Sequence, residues 1–105
     1  MVRALLLAAI ASAAAVFTSP ASAQSTDPNL ARNLAAACAN CHGTNGVSQQ
    51  GMANLAGREK AYLVQQMQDF KAGKRPATVM HQLAKGYADE QIDALAAYFS
   101  AQKAR

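Results

Sequence analysis

The chain has 105 residues, of which 51% are hydrophobic, and a formal net charge of +4. This length allows one small domain and excludes larger multidomain architectures. The ten Lys and Arg residues are scattered and have no interleaved aromatic platform, which argues against a nucleic-acid-binding protein.

The N-terminus has the order of a secretory signal peptide. Arg3 supplies a positive charge, residues 4–17 form an uncharged apolar run, and Ala21-Ser22-Ala23 fits a small-residue cleavage site. The alternative is a membrane anchor, but this run of 14 residues is shorter than the roughly 20 that span a bilayer. We therefore predict a cleaved signal over residues 1–23, a periplasmic location and a single domain over residues 24–105. Nine basic against six acidic side chains then leave a net charge of +3.

The mature chain begins with one predicted helix and a long loop. Asp27 suits the N-cap of this helix and Pro28 its first position, and its end is expected near residues 38–41. Residues 43–57 are rich in Gly, Asn, Ser and Gln, which indicates a surface loop.

Three further helices follow. One is predicted over residues 58–71, with a stop at Gly73; a short one is predicted to be capped by Thr78 and to end near Lys85; the last should begin near Asp89. The apolar stripes are Tyr62, Leu63, Met67 and Phe70 on the second helix and Ile92, Leu95, Ala96 and Phe99 on the last. Because no segment alternates with the period of a strand, the prediction is an all-α fold of about four helices.

The chemistry is concentrated in Cys38-Ala39-Asn40-Cys41-His42. The C-x-x-C-H spacing is typical of covalent haem attachment, in which two thiols bond the porphyrin edge and the histidine ligates iron. A thioredoxin-like redox pair is one alternative, but it belongs to a βαβ pattern, which this chain lacks. A zinc site is another, with His81 as fourth ligand, although Cys41 and His42 are an awkward adjacent pair for one tetrahedral ion.

A haem iron held by histidine often takes methionine as its second axial ligand. Met52 follows His42 by only ten residues and is expected to stay on the same side of the ring; Met67 falls on an apolar helical stripe, where core packing is expected. Met80 lies 38 residues beyond His42, after the turn at Pro76, and is the preferred ligand. Ligation by the neighbouring His81 and an open iron are the alternatives.

With these residues placed, the chain resembles the small class I bacterial cytochromes c. The resemblance is carried by Cys-x-x-Cys-His-Gly, Leu55-Ala56-Gly57 and a Met-bearing segment before a final helix that ends in Ala-Tyr-Phe. The Met segment, residues 73–80 with 84–87, is similar to that of the haem subunit of flavocytochrome c sulfide dehydrogenase. Related free cytochromes are nearly as similar.

The resemblance implies a class I cytochrome c fold around one covalently bound haem c, with thioethers from Cys38 and Cys41 and with His42 and Met80 as the iron ligands. It implies that the first and last helices cross, and it places Ala35 and Ala36 near Tyr98 and Phe99.

The sequence departs from the family pattern at two positions. Ala53 replaces a frequent proline at the position whose carbonyl accepts the Nδ1–H of the proximal histidine; the carbonyl is retained, but the loop is expected to be less stiff. Ala88 replaces the usual Ser or Thr cap of the last helix, and Asp89 is expected to take over.

These features predict an electron carrier that cycles between Fe(II) and Fe(III) and is not itself an enzyme. It is either the cytochrome subunit of a sulfide-oxidising flavocytochrome c, with an FAD-containing partner, or a free shuttle to an oxidase or reductase; a ligand-sensing haem protein is a third reading. Four basic residues near the Met segment could steer an acidic partner, and the alternative is a simple solvated face; they are Lys71, Lys74, Arg75 and Lys85.

Overall fold

The computed structural model describes residues 27–104, and the signal-peptide prediction for residues 1–23 lies outside them. The described part is all-helical, with no strand between residues 27 and 104. It comprises α1 (Leu30–Ala35), a 3₁₀ turn (Ala36–Cys38), α2 (Ala39–His42), a second 3₁₀ turn (Thr44–Gly46), α3 (Lys60–Lys71), α4 (Met80–Lys85) and α5 (Asp89–Ser100). If α1, the first 3₁₀ turn and α2 are counted as one helical segment, this segment and α3, α4 and α5 make four helical units, as predicted.

The first helical segment starts later than predicted. It begins at Leu30, and the Asp27 carboxylate accepts a hydrogen bond from the Asn29 amide at 2.9 Å in the turn before it. The segment ends at His42 because Gly43 has a φ of +80°, where a Cβ would overlap the Val47 carbonyl. His42 is therefore held at the very end of a helix.

The boundaries of α3 and α4 are partly as predicted. Their ends at Lys71 and Lys85 are confirmed, but α3 starts at Lys60 and not Arg58. The predicted Thr78 cap is wrong, since α4 starts at Met80 with Val79 at the N-cap and no side-chain hydrogen bond there.

The last helix begins at Asp89 as predicted, but Asp89 does not cap it. Its carboxylate accepts hydrogen bonds from Gln68 at 3.0 Å and Lys71 at 3.3 Å, both on α3. The Gln91 side chain instead accepts a hydrogen bond from the Ala88 amide at 2.9 Å, which is one half of a capping box.

The core forms where α5 packs on both α1 and α3, and α4 also packs on α3. Its buried cluster consists of Ala35, Leu63, Leu95, Ala96 and Phe99, with Cys38, Leu55 and Tyr87 partly buried against it. The predicted crossing of the first and last helices is confirmed through Ala35, whereas Ala36 is exposed. The core thus holds the Cys38 end of the first segment against α5.

Candidate functional site

The motif residues are brought together by the end of the first helical segment. Cys38 closes the 3₁₀ turn, and Cys41 and His42 belong to α2. Cys38 is half-buried and Cys41 exposed, and the two are not joined in a disulfide. Burial raises the pKa of the Cys38 thiol, partly opposed by a backbone hydrogen bond.

The orientation of His42 is set by a backbone carbonyl. Its Nδ1 lies 2.7 Å from the carbonyl oxygen of Ala53. Because a carbonyl can only accept, Nδ1 must carry the proton, and in the neutral ring Nε2 then carries the free lone pair. A histidine oriented in this way is prepared to ligate a metal through Nε2. The hydrogen bond expected at Ala53 is therefore present without a proline.

Hydrogen bonds on both sides of Ala53 hold its loop in place. The Gly46 carbonyl accepts from the amides of Leu55 at 2.9 Å and Ala56 at 3.2 Å. The Asn54 side chain accepts from the Ser48 amide at 2.6 Å. These contacts make the loop after the motif a closed structure that presents the Ala53 carbonyl to the histidine.

The three candidate methionines lie in different surroundings. Met80, the first residue of α4, is half-buried; Met67 is half-buried on α3; Met52, in the loop, is 45% exposed. The helix α4 packs on α3 and makes little contact with α2. Met80 and His42 therefore lie on elements that make little contact with each other.

The chemistry of the surrounding side chains also fits a haem. The large apolar side chains that remain exposed are Met52, Tyr62, Val79 and Leu83, each more than 40% accessible. Val79 is the N-cap of α4, and its carbonyl accepts from the Leu83 amide at 3.0 Å, so the two residues lie one turn apart at the start of this helix. Two thiols, a free imidazole nitrogen, a thioether sulfur and this apolar surface match the needs of a covalently bound porphyrin.

The alternative sites gain no support from residues 27–104. Within them no group of three or more His, Cys, Asp and Glu side chains is placed to hold a metal ion. No helix in the same range is long and apolar enough to cross a membrane. His81 is half-buried, and its Nδ1 is buried with no hydrogen-bond partner among the described residues.

Two predicted surface features are changed by the structure. The Lys71 ammonium donates to the Tyr87 carbonyl at 2.7 Å and pairs with Asp89, so it joins α3 to the start of α5. It is therefore less available to a partner than the exposed Lys74 and Lys85. The Arg75 guanidinium lies 5.4 Å from the centroid of the Phe70 ring.

The contact between the motif loop (residues 43–57, after the motif of residues 38–42) and the last helix is not indicated by the sequence. The Tyr98 hydroxyl donates to the Asn45 side chain at 2.7 Å. The Asn45-Gly46 pair was itself a readable turn signal, but the distant partner was not.

Comparison with known proteins identifies the group to which this site belongs. Residues 26–99 match the family described as "Cytochrome C oxidase, cbb3-type, subunit III". The chain belongs to this family of cytochrome c domains. Its cofactor is haem c, and the residues described above fit that cofactor.

Two curated relatives and one solved structure are among the most similar proteins. The chain is 42% identical over 66 residues to the cytochrome subunit of sulfide dehydrogenase from Chlorobaculum tepidum, covering 63% of this chain and 60% of the relative. It is 38% identical over 73 residues to cytochrome c-554(548) from Halomonas halodenitrificans, covering 63% of this chain and 84% of the relative. The structure of Acidithiobacillus ferrooxidans cytochrome c4 superimposes with a TM-score of 0.58 at 39% identity, over 61% of this chain and 38% of that chain. This similarity confirms the class I cytochrome c fold.

The chain spans only part of several of these proteins. It covers 60%, 35% and 35% of the length of the first three curated relatives that it matches.

Proposed function

We propose that this protein is a single-haem electron carrier in which Cys38 and Cys41 hold haem c through thioether bonds and His42 and Met80 provide the two axial ligands. The observation that carries the proposal is the 2.7 Å hydrogen bond between His42 Nδ1 and the Ala53 carbonyl, which leaves Nε2 free for iron. The half-buried position of Met80 at the start of α4 supports the second ligand.

Bound haem supplies single-electron chemistry by cycling between Fe(II) and Fe(III). The chain's own contribution is to hold two ligands in fixed positions and to surround the ring with apolar side chains. The Ala53 carbonyl makes His42 a more basic ligand, and methionine ligation raises the reduction potential. If His42 and Met80 both hold the iron, no position on it would be left for a substrate, which would make the protein a carrier and not an enzyme.

The methionine assignment is tested by the visible spectra of three variants. Met80→Ala should abolish the weak red band that a sulfur ligand gives ferric haem, because no other side chain replaces the sulfur. Met52→Ala and Met67→Ala are matched controls that should keep the band, since each removes one methionine from the loop or from α3. Persistence of the band in Met80→Ala, or its loss in Met52→Ala, would contradict the assignment.

An open iron predicts a different result. The reduced native protein would then bind carbon monoxide without any mutation, and the sensing or ligand-binding function would replace electron transfer.

The preferred partner is a flavoprotein subunit that oxidises sulfide. This finer proposal is supported by the 42% identity to the cytochrome subunit of sulfide dehydrogenase. The exposed basic side chains of Lys74, Arg75 and Lys85 would steer an acidic partner, as electrostatic complementarity usually acts on association rates. Co-purification with an FAD-containing chain is the expected result, and sulfide should then reduce the haem only in the complex.

A free shuttle is the second candidate, favoured by the match over 84% of the length of cytochrome c-554(548). A monomer that reduces a terminal oxidase unaided, with no flavoprotein bound, would select it.

Both candidates place the protein in the periplasm. The mass of the intact holoprotein from a periplasmic fraction tests this directly, because it should equal residues 24–105 plus one haem.

A further inference from the structure

The last turn of α5 contacts the loop that orients His42. Tyr98 donates its hydroxyl to Asn45 Oδ1 at 2.7 Å, although the two residues are 53 positions apart in sequence. Asn45 follows His42 by three residues and has a φ of +55°. It is the only residue other than glycine with a positive φ between residues 27 and 104. Asparagine is among the residues that best tolerate this conformation.

The backbone leads from Asn45 directly to the loop that carries Ala53. Gly46 lies under the Phe99 ring, and its carbonyl accepts the amides of Leu55 and Ala56. At the other end of the loop, the Gly57 amide donates to the Phe99 carbonyl at 2.9 Å. Both ends of residues 46–57 are therefore attached to the last turn of α5, and Ala53 lies between them.

We propose that Tyr98 is a positioning residue for the haem ligand His42: its hydrogen bond to Asn45 fixes the turn at Gly46 and thereby the Ala53 carbonyl that accepts from His42. Tyr98 does not touch His42 and acts only through this loop. The inference rests on the proposed function, since it requires His42 to ligate the iron.

Losing the Tyr98 hydrogen bond should change the basicity of the ligand His42, and not only the stability of the protein. Without the Tyr98 hydroxyl, the Asn45 turn loses its only side-chain hydrogen bond among those found in the described residues, and the loop opens more often. The His42 Nδ1–H then spends more time without its acceptor. A histidine that loses this hydrogen bond is a less basic ligand, which favours ferrous over ferric iron and raises the reduction potential.

The test uses the intact holoprotein and two readouts. Hydrogen exchange of the His42 Nδ1–H is followed by NMR in the ferrous state, and the reduction potential is measured by titration. Tyr98→Phe removes the hydroxyl and keeps the ring, and Asn45→Asp keeps an acceptor oxygen for Tyr98. Asp93→Asn is the matched control on the same helix, because it removes the charge that pairs with Lys60 and leaves the loop untouched.

We expect Tyr98→Phe to speed exchange of the His42 Nδ1–H by about fivefold or more. This is the factor by which the closed loop is destabilised when it loses one hydrogen bond. Tyr98→Phe should also raise the potential, while the exchange rate of Asn45→Asp and both readouts of Asp93→Asn stay near wild type. Exchange and potential that do not change in Tyr98→Phe would overturn the inference, as would an equal effect of Asp93→Asn. If Tyr98→Phe does not accumulate with haem, Asn45→Gly removes the same hydrogen bond, suits the positive φ, and is subject to the same criteria.

The failure of this inference can be distinguished from that of the proposed function. A wild-type spectrum without histidine ligation would overturn both together. A wild-type spectrum of histidine and methionine ligation, combined with an unaffected Tyr98→Phe, would overturn only the positioning role of Tyr98.

Discussion

Adding one methyl group at Gly46 tests the packing of the motif loop beneath α5. Gly46 has a φ of +78°, and a Cβ there would lie 2.8 Å from Phe99 Cδ1, 2.9 Å from the Ala56 amide nitrogen and 2.9 Å from Leu55 Cβ. The last two atoms belong to the loop backbone or are attached directly to it, so they cannot rotate away. Gly46→Ala must therefore displace the loop, the Phe99 ring or both.

The expected loss of stability has a conformational part and a steric part, and Gly51 is a control in which only the conformational part applies. The left-handed conformation costs alanine about 1–2 kcal/mol, and an extra methyl group in a well-packed site costs about 1–3 kcal/mol. Gly51 has nearly the same φ, +77°, but a Cβ there would meet no atom within 4 Å. We expect Gly46→Ala to lower the free energy of unfolding by about 2–5 kcal/mol and Gly51→Ala by only about 1–2 kcal/mol.

Urea unfolding of the two holoproteins, followed by circular dichroism, measures this difference. The slope of the free energy against urea concentration should be the same in both variants, so that the midpoints report stability alone. Two variants whose unfolding free energies agree within about 0.5 kcal/mol would contradict the packing of Gly46 under Phe99, since only the steric part distinguishes them.

Two further predictions concern charged side chains at the ends of helices. Hydrogen bonds from Gln68 and Lys71, together with the Lys71 charge, lower the pKa of Asp89. The stability that this adds is fully present above the ordinary Asp pKa of about 4 and is lost as the pH falls through the lowered pKa. Asp89→Asn should therefore melt below wild type at neutral pH and together with it near pH ~2; a gap that persists in acid would contradict this. The Lys60–Asp93 pair joins atoms 2.9 Å apart on side chains that are 46% and 60% exposed. Lys60→Ala should cost about 0–1 kcal/mol and less in 1 M salt, and a loss of about 2 kcal/mol or more would show that the pair is not a simple surface contact.

The sequence was most informative where apolar spacing and a charged first turn coincide. In α5, Ile92, Leu95, Ala96 and Phe99 are all buried, as their spacing predicted. The stripe on α3 was less reliable, because Tyr62 at its start is 42% exposed while Leu63 is buried. Neighbouring residues point about 100° apart around a helix, so one at the edge of a stripe can face solvent while the next is buried, and periodicity alone does not decide which.

Helix starts were harder to predict because capping depends on competing partners. Thr78 and Asp89 both have the side chains of a cap, yet neither caps its helix. The Asp89 carboxylate is held by Gln68 and Lys71 of α3, and nothing in the local sequence shows that these side chains lie within reach. The Gln91 contact with the Ala88 amide is local and follows the known spacing of a capping box.

In the candidate site too, the local features were predictable from the sequence and the long-range contacts were not. The order of Cys38, Cys41 and His42 alone indicated haem, because the motif is contiguous and its geometry is set by one helical turn. The contact of Tyr98 with Asn45 joins residues that only the folded chain brings together. Such contacts determine how rigidly a ligand is held, so the sequence indicated which residues form the site but not how it is supported.

The replacement of proline by Ala53 shows how this support is provided. A proline would fix one backbone dihedral angle in the unfolded and folded chain alike. The same restraint is supplied by tertiary hydrogen bonds: Gly46 accepts two amides just after Ala53, and Asn54 accepts the Ser48 amide. The Ala53 carbonyl therefore reaches His42 at 2.7 Å without proline. The same loop is attached to α5 by Tyr98, which donates to Asn45, and by Phe99, whose carbonyl accepts from Gly57, so its restraint also draws on contacts more than 40 residues away in sequence.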